Sequence, residues 1–191
     1  MPVGQASGED GLDLRNQGNE MNPFEHLRTY VVTAPHPGDV RNHAQADHDR
    51  LLDAVDGLAK ERTAERRMAK AATLRLALVI HERAEEAVIY RALAATNVAP
   101  GAKARADDAD VEHEVIEGLL NKLLQTRPTS DEWNARLRVF TAMLERHFKD
   151  EEGEVFALLG EHFDAARLEE LGTQYLDSRD KLVMLEEAKA A

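Results

Sequence analysis

The chain contains no cysteine, which excludes disulfides, thiolate metal sites and thiol catalysis. Any metal it holds must be held by imidazole and carboxylate. No apolar run approaches the roughly 18 residues that a membrane-spanning helix needs. The first ten residues, M-P-V-G-Q-A-S-G-E-D, carry neither the basic nor the apolar stretch of a secretory signal. A soluble, cytoplasmic protein is therefore expected, with no membrane partner. Positive charge is scarce: 24 Lys and Arg against 36 Asp and Glu leave a net charge of −12. Such a surface disfavours nonspecific binding to nucleic acid or to an anionic bilayer. Period-two alternation, the mark of a half-buried strand, is also missing.

What is present is helical periodicity, beginning near Val40. Residues 1–39 hold four of the six prolines and five of the eleven glycines, and read as a flexible or irregular N-terminal arm. Punctuation divides the remainder into segments at about 40–60, 61–95, 103–126 and 129–160, with a fifth following Asp164. Pro100 and Gly101 break the second from the third, and Pro128 precedes the fourth. Thr129 and Glu132 have the spacing of a capping box, and Trp133 behind them is expected to close one end of the fold. Four helices joined by short loops predict an all-α, up-down-up-down four-helix bundle over 40–160, with residues 161–191 as an additional C-terminal helix.

The stretch Met143 to Leu159 carries the first chemical signal. His147 and Glu151 stand four residues apart, about 40° from each other on a helix. Leu144, Val155 and Leu158 share that face, so the periodicity turns the two polar residues toward the core. A buried carboxylate is costly unless a cation pairs with it. The same apolar stripes place His81 with Glu85 and His113 with Glu117 one turn apart, and His48 on the first helix. Chance placement gives about one His/Glu pair at this spacing; the chain has three. His48 to His81 and His113 to His147 are nearly equal intervals, so the chain reads as two similar halves able to supply two adjacent metal positions. Imidazole and carboxylate without sulfur suit iron, and also manganese or zinc.

The motifs D-H-D around His48, H-E-R-A-E-E from His81, E-H-E-V-I-E-G-L-L from Glu112 and H-F-K-D-E-E from His147 resemble, in this order, the hemerythrin-like HHE cation-binding proteins. That resemblance implies a four-helix bundle with a non-haem di-iron centre. His48 and His81 would bind one iron, His113 and His147 the other, with Glu85 and Glu151 bridging them. Glu117 departs from the oxygen-carrying members, which place a further histidine one turn after the third-helix ligand; either it coordinates or one iron has an open position. Glu82, Glu114 and Glu152 lie about 100° around their helices from the neighbouring ligands and read as solvated or supporting groups.

The function so implied is the binding, sensing or reaction of oxygen, peroxide or nitric oxide, or a part in iron handling. An enzyme of this kind would decompose peroxide or oxidise ferrous iron. The alternative is a helical interaction module without redox chemistry, whose protein partner the sequence does not name.

Overall fold

The computed structural model describes residues 38–95 and 101–190, and among them the chain is helical, without strands. The N-terminal arm expected over 1–39 lies outside the described residues except for its last two. Helix α1 spans Val40–Ala59. Helix α2 runs from Ala64 to Glu85, continues through a π-helical turn, Glu86–Tyr90, and ends in Arg91–Ala95. Helix α3 spans Ala102–Leu124. Helix α4 runs from Asp131 to Asp150, through a second π-helical turn, Glu151–Val155, into Phe156–His162. Helix α5 spans Ala165–Ala190.

Each start has a local cause. Asp39 caps α1 by accepting from Arg41 N at 2.9 Å, and Thr63 caps α2 by accepting from Arg66 N at 3.3 Å. These side chains satisfy backbone donors that have no partner within the first turn. Gly101 enters α3 with φ of 104°, left-handed backbone that a side chain would strain. At α4 the cap lies one residue beyond the expected Thr129. Ser130 Oγ accepts from Trp133 N at 3.1 Å, whereas Thr129 Oγ1 accepts from Arg127 Nε and Glu132 pairs with Arg136. Asp164 caps α5 through Arg167 N at 2.8 Å.

Helices α1 to α4 pack in a ring, each against its neighbours in sequence and α4 closing against α1, while α5 lies against α1 and α2. The interior has two apolar blocks. One gathers Leu51, Val55, Leu74, Leu78, Ile116, Leu120, Leu137, Phe140 and Leu144 around fully buried Trp133, with the Arg67 guanidinium 4.6 Å above the indole. The other is built from Val40, Ala44, Ile89, Tyr90, Leu93, Ala106, Ala109, Val155 and Leu159, with Leu168, Leu171 and Tyr175 from α5. Between the blocks, at the middle of all four bundle helices, runs a layer of histidine and glutamate.

The π turns alter the expected facing. A π turn spends one extra residue per turn, so beyond it the inner positions move by one. Leu159 is fully buried while the expected Leu158 is only partly so. In α2 the same shift brings Ile89 and Leu93 inside beside Val88 and Ala92.

Candidate metal centre

The buried layer is fixed from four helices. His48 comes from α1, His81 and Glu85 from α2, His113 from α3, and His147 and Glu151 from α4; all six are at most 2% exposed. Ligand-type atoms of His48, His81, Glu85 and Glu151 lie within 4.8 Å of one another, and so do those of Glu85, His113, His147 and Glu151. The two groups share the two glutamates. His48 Nε2 is 3.5 Å from Glu85 and 3.4 Å from Glu151. His81 Nε2 is 3.2 Å from Glu85, and His147 Nε2 is 3.3 Å from Glu151.

Every imidazole turns its other nitrogen outward to a partner. His48 Nδ1 meets Glu152 at 2.9 Å, His113 Nδ1 meets Glu86 at 3.2 Å, and His147 Nδ1 meets Glu112 at 2.9 Å. His81 Nδ1 meets the Tyr175 hydroxyl of α5 at 2.9 Å. A carboxylate can only accept, so Nδ1 carries the proton there, and a ring that has given up its second proton presents the Nε2 lone pair inward. Metal-ligating histidines are oriented in the same way. Glu151 is oriented by Tyr90, whose hydroxyl donates to its Oε1. Tyr90 stands five residues after Glu85, and the π turn is what brings it to this layer. Its counterpart after Glu151 is Phe156, stacked 6.0 Å from the His48 ring, with Phe148 stacked on the other contact at 4.0 Å.

This layer fits a bound cation. His48 Nε2, His81 Nε2, Glu85 Oε2 and Glu151 Oε2 are buried and have no hydrogen-bond partner, although such groups are nearly always paired in native interiors. His113 Nε2 and His147 Nε2 lie 3.1 Å apart, so two inward lone pairs face each other unless a cation or proton joins them. Protonation in the metal-free chain is unbalanced. Burial, together with the neighbouring Glu151 charge, pushes the Glu85 carboxyl up to about 8. Burial raises Glu151 as well. Burial lowers His81 to about 3 and, with the charge of His113, His147 also to about 3. Burial opposes charge on His48 too, but the nearby carboxylates of Glu151, Glu152 and Glu85 outweigh it and hold the ring well above 6.5.

Glu117 is not brought into either group. Its carboxylate is 19% exposed and accepts from Arg83 Nη2 at 2.6 Å. It faces Glu82, which is fully buried rather than solvated, with neither oxygen meeting a donor. Burial and the Glu117 charge raise the Glu82 carboxyl well above 4.5. Glu114 is exposed, and Glu152 is the brace of His48. Sequence periodicity also missed Glu86, Tyr90, Asp47 and Tyr175. The D-H-D motif holds Asp47 with nothing to favour it over Asp49, and in the sequence Tyr175 is one more apolar position of an amphipathic helix.

A helical bundle whose middle layer gathers imidazoles and carboxylates from four helices belongs to the class of helical metal-binding bundles. The family model described as hemerythrin HHE cation binding domain matches residues 39–159, and the chain belongs to that family. No curated protein and no solved structure gives a significant match. Among the described residues no helix is long and apolar enough to cross a membrane.

Proposed function

We propose that the chain is a non-haem di-iron protein that binds, senses or reacts with a small oxidant such as oxygen, peroxide or nitric oxide, or that takes part in iron handling. One observation carries this reading: Glu85 and Glu151 belong to both four-residue groups, as two bridging carboxylates would. In this reading His48 and His81 hold one ion, and His113 and His147 the other. The sulfur-free donor set suits iron, with manganese or zinc as further candidates. An iron pair supplies electrons to a small oxidant.

The chain's own residues supply the rest. Glu152, Tyr175, Glu86 and Glu112 keep the four Nε2 lone pairs pointed inward. Tyr90 fixes Glu151 by its hydroxyl. Phe148 and Phe156 exclude water from the His48 side. Glu82 holds a proton on a buried carboxyl one residue from His81. Glu117 is engaged with Arg83 and is not assigned a ligand role, which leaves the His113/His147 position one donor short of a carrier-type site.

Loading the full chain with ferrous iron, followed by elemental analysis, tests the reading. Two irons per chain are expected; fewer than one iron or manganese overturns it and leaves an interaction module, with Met184 and Leu185 exposed on α5 as its first surface to examine. Oxygen evolved from added peroxide marks an enzyme, and a reversible optical change without turnover marks a binding or sensing protein.

A further inference from the structure

Helix α5 begins after the last residue that the family model matches. A helix that only covers the α1/α2 face needs apolar side chains, and Leu168, Leu171 and Val183 supply them. Yet α5 also buries Tyr175 (0% exposed) and Arg179 (2% exposed). A buried guanidinium is costly to desolvate and gains nothing over a well-packed apolar side chain unless it holds something in place. Both residues converge on Asp47, the neighbour of His48. Tyr175 Oη donates to Asp47 Oδ2 at 2.8 Å, and Arg179 Nε lies 3.1 Å from the same oxygen. Arg50 pairs with the other oxygen.

The hydroxyl of Tyr175 has one proton, and it is given to Asp47. Toward His81 Nδ1, 2.9 Å away, the phenol oxygen can therefore only accept. The proton is thereby fixed on Nδ1, and the Nε2 lone pair of His81 is aimed into the group it forms with His48, Glu85 and Glu151. The other three histidines are braced by glutamates of the bundle helices themselves, each partly exposed. His81 alone among the four takes its brace from α5, and that brace is buried. Helix α5 is held close at this level: a Cβ on Gly172 would collide with the carbonyl oxygen of Gly38.

We propose that α5 is part of the metal centre: Tyr175, held by Asp47 and Arg179, is a positioning residue for His81 and sets the affinity of the His48/His81 position separately from that of the His113/His147 position. This rests on the two-metal reading above. Tyr175→Phe keeps the ring and removes only the hydroxyl. Loss of an outer hydrogen-bond partner of a ligand lowers metal affinity by about 10- to 100-fold.

The test loads wild type, Tyr175→Phe and Arg179→Lys with ferrous iron alone, then measures iron per chain and the time course of its removal by a ferrous chelator. Wild type is expected to hold two irons. Tyr175→Phe is expected to keep one at the wild-type rate and to release the other about 10- to 100-fold faster, with a smaller change of the same kind in Arg179→Lys. In a Tyr175→Phe/His147→Ala double variant neither iron is held tightly. Both irons loosening equally in Tyr175→Phe would mean a merely structural role, and two irons released at wild-type rates would mean none; either overturns the proposal while the two-metal reading stands. Wild type holding fewer than one iron overturns that reading, and this proposal with it. Should Tyr175→Phe fail to fold, unchanged release of both irons from Arg179→Lys overturns the proposal.

Discussion

His113 Nε2 and His147 Nε2 face each other at 3.1 Å between α3 and α4, each with its Nδ1 bound outward to a glutamate. Two neutral imidazoles in that attitude repel unless a cation or a proton joins their lone pairs. The relation separates the roles of the ligand-type residues, because His147 serves one group while Glu151 serves both.

His147→Ala is accordingly expected to lower bound metal to about half the wild-type content, whereas Glu85→Ala and Glu151→Ala lower it below that level. Elemental analysis after identical loading reads the difference. The two glutamate variants also lose the rise in melting temperature that saturating metal gives wild type, since a ligand bound only by the fold stabilises it by about 2.7 kcal/mol at a hundred times its Kd. Equal metal content in all three variants would overturn the assignment of the shared residues.

The metal-free protein is expected to lose stability as pH rises from about 6.5 through 8. In the fold Glu85 is raised to about 8, Glu82 and Glu151 are raised, and His48 is held well above 6.5. The unfolded chain has released those protons by pH 7, so the folded state binds more, and stability falls as they leave. His81 and His147, lowered to about 3 from 6.5, are neutral in the fold, while in the unfolded chain each keeps about half a proton at pH 6.5 and almost none by pH 8, so they offset part of the loss near pH 6.5 without reversing it. One such proton corresponds to a slope of about 1.4 kcal/mol per pH unit. Urea midpoints of chelator-treated protein at pH 6.5 and 8 measure it, and a midpoint that rises with pH contradicts it.

Glu82→Gln is expected to stabilise the metal-free fold by about 1 kcal/mol without changing metal content. The buried carboxyl faces Glu117 and, while it keeps its proton, offers it a donor that is lost when Glu82 ionises; an amide in its place keeps a donor at every pH and removes a group that resists ionisation. Thermal unfolding and elemental analysis check the two halves of this statement. A fall in metal content would put Glu82 among the ligands.

Trp133→Ala is expected to cost about 3–5 kcal/mol, as truncation of a fully buried aromatic does. Trp133→Phe costs less, because the indole Nε1 has no acceptor to lose while the Arg67 guanidinium keeps an aromatic face beneath it. Denaturant unfolding of both variants ranks them, and equal losses would contradict the account.

Much of the fold was legible because amphipathic periodicity and punctuation are local. His81 with Glu85 and His147 with Glu151 repeat on apolar stripes, and the structure brings both pairs together with His48 and His113. Glu117 follows the same spacing but lies outside both groups and pairs with Arg83 on the neighbouring helix; no local pattern encodes that pairing. The π turns escaped for another reason. A 3.6-residue period assumes an unbroken helix and so turns Leu158 inward, whereas it is Leu159 that is fully buried. Tyr175 and Asp47 meet across 128 positions of sequence, and only tertiary packing makes a tyrosine on an apolar stripe into a partner of His81.

The histidine and glutamate layer lies between two apolar blocks, each with contacts of its own. Without a cation, the layer would leave the two blocks joined by the helices that pass between them and by partly buried Leu182, which packs against both. The two blocks would then be able to open at different free energies. A cation held as proposed, by residues of all four helices, would join them into one. Metal content would then determine whether the protein melts in a single step or by halves, and a cell short of the metal would hold a chain half of which opens before the other.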